Sequence, residues 1–172
     1  MVCPHNYARF SVDTNTLAGR YRLTKLSASL LIEHEGKLMM VEEACDKYRG
    51  KWSQPQGMIE LNETPEEAAI REAKEETGLT VELVNHFATY VCTKDLVYMI
   101  NFCFRARPVL LEQAPLHADI LSARWYDPAE LVQLSNKGHL RSDLTLRRIT
   151  DWLSSRNSSV PSLGFIEIPA LA

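Results

Sequence analysis

The sequence predicts an α/β fold in which a mixed β-sheet lies between α-helices. Three observations support this prediction. Short apolar runs of β-type residues indicate strands, and capped segments with a helical period indicate helices. The two kinds of element mix without the regular βαβ alternation of a parallel sheet. A length of 172 residues suits one domain with a substantial core.

The expected elements begin with a hairpin and a loop. LSASLLIEHEGKLMMVEE contains two apolar runs on either side of EHEGK, and Gly36 supplies the turn. CDKYRGKWSQPQG predicts a loop with a short strand over 51–54. After a helix over 65–77, strands are expected over 81–90, over 97–105 and in ARWYD.

Two more helices are expected near the carboxyl end. DPAELVQL predicts a short helix that opens at an Asp-Pro cap. SDLTLRRITDWLSS predicts an amphipathic helix, and the candidates for its buried stripe are Leu144, Ile149, Trp152 and Leu153. We therefore divide the chain into an extension over 1–25, a domain over 26–155, and a tail over 156–172. The tail either packs on the domain or forms an edge strand.

Composition and charge exclude several classes of function. The formal charge of −3 gives no global basic field for nucleic-acid binding. The amino terminus lacks a secretory signal pattern, and the apolar runs are too short to span a bilayer. No CxxC pair is present, so reduced thiols are expected at Cys3, Cys45, Cys92 and Cys103. We expect a cytoplasmic monomer or homodimer without nucleic-acid or membrane partners.

The helix over 65–77 has both ends specified locally. Thr64 is a good N-cap, Pro65 fits the first helical position, and Glu67 completes a capping box. Gly78 suits the left-handed conformation that ends a helix. The helical register can therefore be read with few alternatives.

This helix carries an apolar face and a carboxylate arc. Ala69, Ile70 and Ala73 form a small face for packing on the sheet. Arg71 and Lys74 are directed elsewhere, although Arg71 can reach Glu67 or Glu75 at four-residue spacing. A separate arc of about 100° holds three acids, Glu72, Glu75 and Glu76. Like charges at this spacing repel, and Mg²⁺ and Mn²⁺ prefer oxygen ligands. The arc predicts either a site for such a cation or a solvated acidic face.

The surrounding residues favour the cation site. GMIELNETPEEAAIREAKEETGL fits G-x5-E-x7-R-E-U-x-E-E-x-G-U at every fixed position and so resembles the Nudix hydrolases. The matching residues are Gly57, Glu63, Arg71, Glu72, Glu75, Glu76 and Gly78, with Ala73 and Leu79 at apolar positions. The resemblance implies a Nudix fold and hydrolysis of a diphosphate linked to another moiety, using two or more Mg²⁺ or Mn²⁺ ions.

The resemblance also implies roles for individual residues. The metal ligands would be the Gly57 carbonyl and the carboxylates of Glu72, Glu75 and Glu76. Glu63 and Arg71 would tie the preceding loop to the helix and support the ligands from outside the metal shell. The general base stays open, and its candidates are Glu75, Glu72, Asp119 and Glu112.

The substrate is expected to be a small-molecule diphosphate. WSQPQG, ARWYDPAEL and GHLRSDLTLRRITDWL resemble bacterial Nudix phosphatases that act on thiamine-pathway pyrimidine diphosphates and nucleoside di- and triphosphates. Cationic and hydroxyl groups would contact phosphate, amides would contact polar edges, and an aromatic ring would stack on a base. The respective candidates are Arg141 and Ser142, Gln54 and Gln56, and Tyr98.

Two other readings stay open at this point. A Nudix domain can bind a nucleotide-type ligand as a sensor or scaffold without turnover, although such domains often lose a carboxylate of the motif. An isomerase of the same fold would need an acid and a base placed across a carbon skeleton, and neither is evident. We therefore favour a metal-dependent hydrolase.

Overall fold

A mixed β-sheet between helices is observed in the computed structural model, which describes residues 23–94, 97–111, 116–156 and 166–168. The expected fold class is confirmed. The strands are β1 Leu23–His34, β2 Lys37–Glu43, β3 Trp52–Ser53, β4 Gln56–Met58, β5 Thr80–Lys94, β6 Val97–Leu110, β7 Ile120–Tyr126 and β8 Ile166–Ile168. The helices are α1 Pro65–Thr77, α2 Pro128–Asn136 and α3 Asp143–Ser155.

The sheet has the strand order β3-β2-β1-β6-β5-β8, with β4 paired to β1 and β7 paired to β2. The long central strands β1 and β6 are parallel, whereas β5 and β6 are antiparallel. The predicted hairpin is present, and Glu35 and Gly36 form its turn with φ values of 48° and 77°. The parallel pairing of β1 with β6 joins distant parts of the chain and could not be read from local pattern.

The short strand β4 was missed by the sequence prediction. It follows Pro55 and contains Gly57, two residue types that local propensity assigns to loops. Its pairing with β1 forms it, because Gln56 lies opposite Ser29 and Gly57 lies opposite Ala28. Tertiary pairing thus overrides local propensity here.

The two faces of the sheet bury separate cores. Along β1, Leu30 and Ile32 pack with the alanines of α1, whereas Leu31 packs with α2 and α3. Successive side chains of a strand point to opposite faces, so β1 contributes to both cores. The cluster on the α3 face includes Ile149 and Trp152.

The predicted apolar face of α1 is partly wrong. Ala69 and Ala73 are fully buried as expected, but Ile70 is 43% exposed and Ala68 is buried instead. The buried side of the helix passes through Ala68, Ala69 and Ala73, and this direction also buries Glu72. Small residues let the helix approach the sheet closely, so bulk at position 70 is not needed for packing.

The predicted stripe of α3 is also revised. Ile149 and Trp152 are buried, but Leu144 and Leu153 are only half-buried. Thr145 and Arg148 are fully buried and complete the stripe. Both polar residues can be buried because each has a hydrogen-bond partner inside the protein: Ser142 for Thr145 and Gln56 for Arg148.

The remaining expectations concern termini and cysteines. Strand β8 pairs in parallel with residues Tyr90 to Cys92 of β5. Cys45, Cys92 and Cys103 are free thiols, and burial raises the pKa of Cys103. Cys3 and most of the extension over 1–25 lie outside the described residues. Within the described part of the chain, no helix is long and apolar enough to cross a membrane.

Candidate active site

Strand β4 and helix α1 meet at Gly57. A Cβ atom built on Gly57 would lie 1.8 Å from Oε1 and 2.0 Å from Cδ of Glu72. A side chain at position 57 would therefore require the Glu72 carboxyl group to move. The carboxyl group of Glu72 therefore packs directly against the backbone of β4.

Arg71 holds the loop before α1 to the helix. Its Nε donates to Oε1 of Glu63 at 2.8 Å, and its Nη2 donates to Oε2 of Glu63 at 3.0 Å and to the Met58 carbonyl at 2.9 Å. This fork geometry is specific to arginine. The hydrogen bond from Arg71 lowers the pKa of Glu63, so this pair is charged at neutral pH.

Arg71 also contacts the carboxylate arc. Its Nη1 donates to Oε1 of Glu72 at 2.7 Å and to Oε2 of Glu75 at 3.3 Å. The expected reach of Arg71 to Glu75 is confirmed, whereas its contact with Glu72 was not expected. One guanidinium holds Glu63, Glu72 and Glu75, because all lie within reach of its five N–H donors.

Glu76 lies on the same side of α1 as Glu72. Its Oε2 accepts a hydrogen bond of 2.9 Å from the backbone N–H of Gln56. Burial of the carboxyl group raises the pKa of Glu76 well above its ordinary value, the charge of Glu72 raises it further, and the Gln56 N–H opposes the shift. Two carboxylates thus repel each other beside β4.

A third acid near this pair was missed by the sequence prediction. Glu43, at the end of β2, is buried, and its Oε1 accepts from Nη1 of Arg141 at 2.7 Å and from the Ser53 hydroxyl at 3.0 Å. The charge of Glu43 also raises the pKa of Glu76, whereas Arg141 lowers it. The strand-end sequence MMVEE gave a signal, since alternation places one of its two acids inward.

Arg141 links this edge to an aromatic ring. Its guanidinium carbon lies 4.7 Å from the centroid of the Tyr48 ring, and its backbone N–H donates to the Trp52 carbonyl at 2.9 Å. The cation is therefore half-buried and fixed on both sides. Ser142 lies beside it but caps α3, because its hydroxyl accepts from the backbone N–H of Thr145 at 3.2 Å.

The loop that carries Asp119 packs against α1. The backbone N–H of His117 donates to the Glu75 carbonyl at 2.9 Å, and the Asp119 carbonyl accepts from Ala44 N–H at 2.8 Å. Asp119 is half-buried, with its carboxylate 3.6 Å from Nδ1 of His117. The predicted base candidates Glu75 and Asp119 thus belong to neighbouring segments, whereas Glu112 lies outside the described residues.

Two predicted substrate contacts, Gln54 and Tyr98, are not exposed beside the carboxylates of α1. Gln54 is fully buried, and its Nε2 donates to the Thr145 carbonyl at 3.1 Å, so it does not face a substrate as expected. Tyr98 lies in β6 and pairs with Thr24 of β1, whereas Gly57 pairs with Ala28 of β1. These two positions of β1 are four residues apart, which corresponds to about 13 Å along the strand between the levels of Tyr98 and Gly57.

A buried arginine of α3 was also missed. Arg148 has no exposed surface, and its Nη1 donates to Oε1 of Gln56 at 2.8 Å. Helical spacing gave a signal, because Arg148 is four residues from both Leu144 and Trp152 in the predicted stripe. The sequence prediction did not include it in the buried stripe.

The donors beside Gly57 fit a hard divalent cation. All are oxygens, and Glu72 and Glu76 are crowded so that a positive charge between them would relieve repulsion. Among the described residues, no three His, Cys, Asp or Glu side chains already converge as a metal-binding group. The ion pairs of Arg71 explain this, because they draw Glu75 and one oxygen of Glu72 toward the guanidinium.

Comparison with known proteins shows the family. The NUDIX domain model matches residues 24–149, so the chain belongs to the Nudix family and is a Nudix-type hydrolase by class. Phosphatase NudJ of Escherichia coli strain K12 is 30% identical over 149 residues, which cover 84% of this chain and 93% of that protein. This agrees with the pattern read between Gly57 and Leu79.

Two further similarities support the same assignment. A nudix hydrolase relative from Caenorhabditis elegans is 28% identical over 134 residues, which cover 76% of this chain and 36% of that protein. The crystal structure of a NUDIX hydrolase from Nitrosomonas europaea aligns with a TM-score of 0.73 at 26% identity, covering 86% of this chain and 81% of that one.

Proposed function

We propose that the chain hydrolyses a phosphoanhydride bond in a nucleoside diphosphate-linked or related small-molecule diphosphate, with Mg²⁺ or Mn²⁺ as cofactor. One observation carries the proposal. Glu72 and Glu76 come together against the backbone of Gln56 and Gly57, at the edge where β4 meets α1. Proposed ligands are the Gly57 carbonyl and the carboxylates of Glu72, Glu75 and Glu76.

The protein's part in the reaction is to hold these donors in place. Bound divalent cations would neutralise the diphosphate and promote attack by water at phosphorus. Arg71 fixes Glu72 from one side, and the backbone of Gly57 limits its movement on the other. The Gln56 N–H orients one oxygen of Glu76. Glu72 and Glu76 are thus held in place, and Glu75 would turn from Arg71 toward them when an ion binds.

Two residues are the best candidates for a general base. The Glu75 side chain is 45% exposed, and the loop bearing Asp119 is hydrogen-bonded to the Glu75 backbone. Glu72 is less suited to accept a proton, because its side chain is buried and its contact with Arg71, at 2.7 Å, is shorter than the 3.3 Å contact of Glu75. We therefore propose that a water molecule is deprotonated between α1 and the 117–119 loop.

The proposed substrate groups follow from the charges around this edge. Arg141 is a fixed cation whose charge acts on Glu76 and which could contact phosphate, and Tyr48 beside it offers a ring face. The relative named a phosphatase, together with the resemblance of the carboxyl-terminal segments, supports nucleoside di- or triphosphates or thiamine-type pyrimidine diphosphates as substrates. A cytoplasmic location and a monomeric or dimeric state stay predictions.

A substrate panel tests the proposal. Purified protein is incubated with nucleoside di- and triphosphates and a thiamine-type pyrimidine diphosphate, with Mg²⁺ or with EDTA, and released phosphate is measured. We expect turnover of at least one compound only with the metal. Glu76→Gln should lower kcat roughly a thousandfold or more while retaining the circular dichroism spectrum. Equal turnover by this variant would remove the carboxylate cluster from the mechanism.

The alternative is a Nudix domain that binds a nucleotide-type ligand without hydrolysing it. Its distinguishing result is tight binding of a panel compound, seen as a rise in Tm, with no product in the presence of Mg²⁺. The intact set of four acids in the motif favours the enzyme.

A further inference from the structure

Arg148 is a buried cation without an acidic partner within ion-pair distance in the described part of the chain. Its side chain is fully buried, and the two side chains that its Nη1 contacts are neutral amides. Nη1 donates to Oε1 of Gln56 at 2.8 Å and lies 3.5 Å from Oε1 of Gln54, and the guanidinium lies 5.8 Å from the Tyr90 ring centroid. A buried charge is costly when no opposite charge compensates it. Nε and Nη2 have no hydrogen-bond partner among the described residues.

This contact fixes the orientation of the Gln56 amide. A guanidinium has only donors, so the atom facing it must be the carbonyl oxygen Oε1 of the glutamine. Gln54 is held the same way, because its Nε2 donates to the Thr145 carbonyl at 3.1 Å.

Gln56 connects this arginine to the carboxylate edge. Its backbone N–H donates to Glu76 at 2.9 Å, and its neighbour Gly57 packs against Glu72. Gln56 is half-buried, whereas Gln54 is fully buried. With Oε1 engaged by Arg148, Gln56 has its Nε2 donor group left, for which the described residues provide no partner.

We propose that Arg148 is a positioning residue that fixes Gln56 so that its Nε2 donates a hydrogen bond to an acceptor oxygen of the substrate. This inference rests on the proposed function and deepens it. The acceptor is either a phosphate oxygen or a carbonyl oxygen of the base, and both share the same chemistry. A group that itself donates, such as the exocyclic amine of cytosine, would not pair with this amide.

The experiment is a double-mutant cycle on hydrolysis. Gln56→Met removes the amide at similar volume, and Arg148→Met removes the guanidinium. The third protein combines both changes. Arg147→Met is the matched control, since Arg147 is the adjacent arginine of α3 but is exposed and paired with Asp151. KM and kcat are measured with UTP, CTP and the best compound of the substrate panel.

We expect each single variant to raise KM by roughly tenfold to a hundredfold with kcat little changed, because a ground-state hydrogen bond to the substrate is lost. The double variant should resemble Gln56→Met alone, since Arg148 acts through Gln56. An equal rise for UTP and CTP identifies an acceptor that both nucleotides share, which is a phosphate oxygen or the carbonyl oxygen at C2 of the base. A rise confined to UTP identifies the carbonyl oxygen at C4.

Several results would overturn the inference. One is a KM for Gln56→Met that equals the KM for Arg147→Met. Another is a double variant in which the effects of the two single changes simply add. If Arg148→Met does not fold, Arg148→Lys replaces it, and this variant should give a smaller rise in KM because the lysine keeps a donor for Oε1. If the wild-type protein hydrolyses nothing in the panel, the proposed function itself fails. Turnover that needs Glu76 but ignores Gln56 leaves that function standing and removes only this inference.

Discussion

Two neighbouring residues of β4 face opposite sides of the sheet and meet opposite charges. Gly57 lies against the carboxylate of Glu72 on α1, whereas the Gln56 side chain accepts from the buried guanidinium of Arg148 on α3. On the α1 side, Arg71 pairs with three acids. On the α3 side, a single cation has only neutral partners at hydrogen-bond distance in the described residues.

In our proposal, one short strand serves two halves of a substrate site. Excess negative charge on the α1 side favours cations, and burial together with the charges of Glu72 and Glu43 raises the pKa of Glu76. Excess positive charge on the α3 side favours an acceptor group through the Gln56 amide. The predictions below perturb one side at a time.

The largest effect is expected from Gly57→Ala. The added Cβ would require Glu72 to move, and a displacement of about 1 Å can cost roughly a hundredfold in rate. Hydrolysis at saturating Mg²⁺ measures this. Gly36→Ala is the control, because it places a Cβ at a φ of +77° in the β1–β2 turn and should cost about 1 kcal/mol of stability without loss of rate. Full activity of Gly57→Ala would show that Glu72 does not need this packing.

The next effect concerns the guanidinium of α1. Arg71→Lys keeps the charge but cannot hold Glu63 with two parallel bonds while also contacting Glu72 and the Met58 carbonyl. We expect a loss of roughly tenfold to a hundredfold in Mg²⁺ affinity, as for other groups that orient ligands. Arg147→Lys, at an exposed pair on α3, should leave the affinity unchanged. Equal affinities for the two variants would contradict the orienting role.

Glu76→Gln should stabilise the metal-free protein at neutral pH. The folded-state pKa of Glu76 is raised above the ordinary 4.5, so ionisation disfavours the folded state when pH exceeds both values. A neutral amide removes this penalty. The gain in Tm should fade as pH falls through 4.5, because below that pH the carboxyl group is mostly protonated in both states. Thermal unfolding in EDTA between pH 4 and 8 measures it, with Glu75→Gln as the exposed comparison, and a gain independent of pH would contradict the assignment.

The smallest effect is expected at the far end of α1. Thr64→Ala removes the side chain that accepts from Glu67 N–H at 3.2 Å and should cost about 1 kcal/mol in the free energy of unfolding. Turnover should change less than twofold, because the cap is two helical turns from Glu72. Urea unfolding measures the loss, and Leu61→Ala, at a residue that is 92% exposed, is the control.

Local signals predicted α1 with its observed bounds, because its cap, first proline and final glycine all act within a few residues. The Glu63–Arg71 pair also followed from the motif. Residues that depend on distant partners were missed or misplaced. Strand β4 forms because it pairs with β1, and Ile70 is exposed because smaller residues face the sheet. Arg148 can be buried because Gln56 accepts a hydrogen bond from it. A single sequence does not reveal which distant segments meet.

The most direct test of the account is calorimetric titration of the substrate-free protein with Mn²⁺. The wild-type protein and Glu66→Gln, which alters an exposed acid of the first turn of α1, should bind with the same affinity. Glu76→Gln should bind at least tenfold more weakly while keeping its fold. Equal binding by Glu76→Gln, or no binding by the wild type, would contradict the claim that this edge of α1 and β4 holds divalent cations.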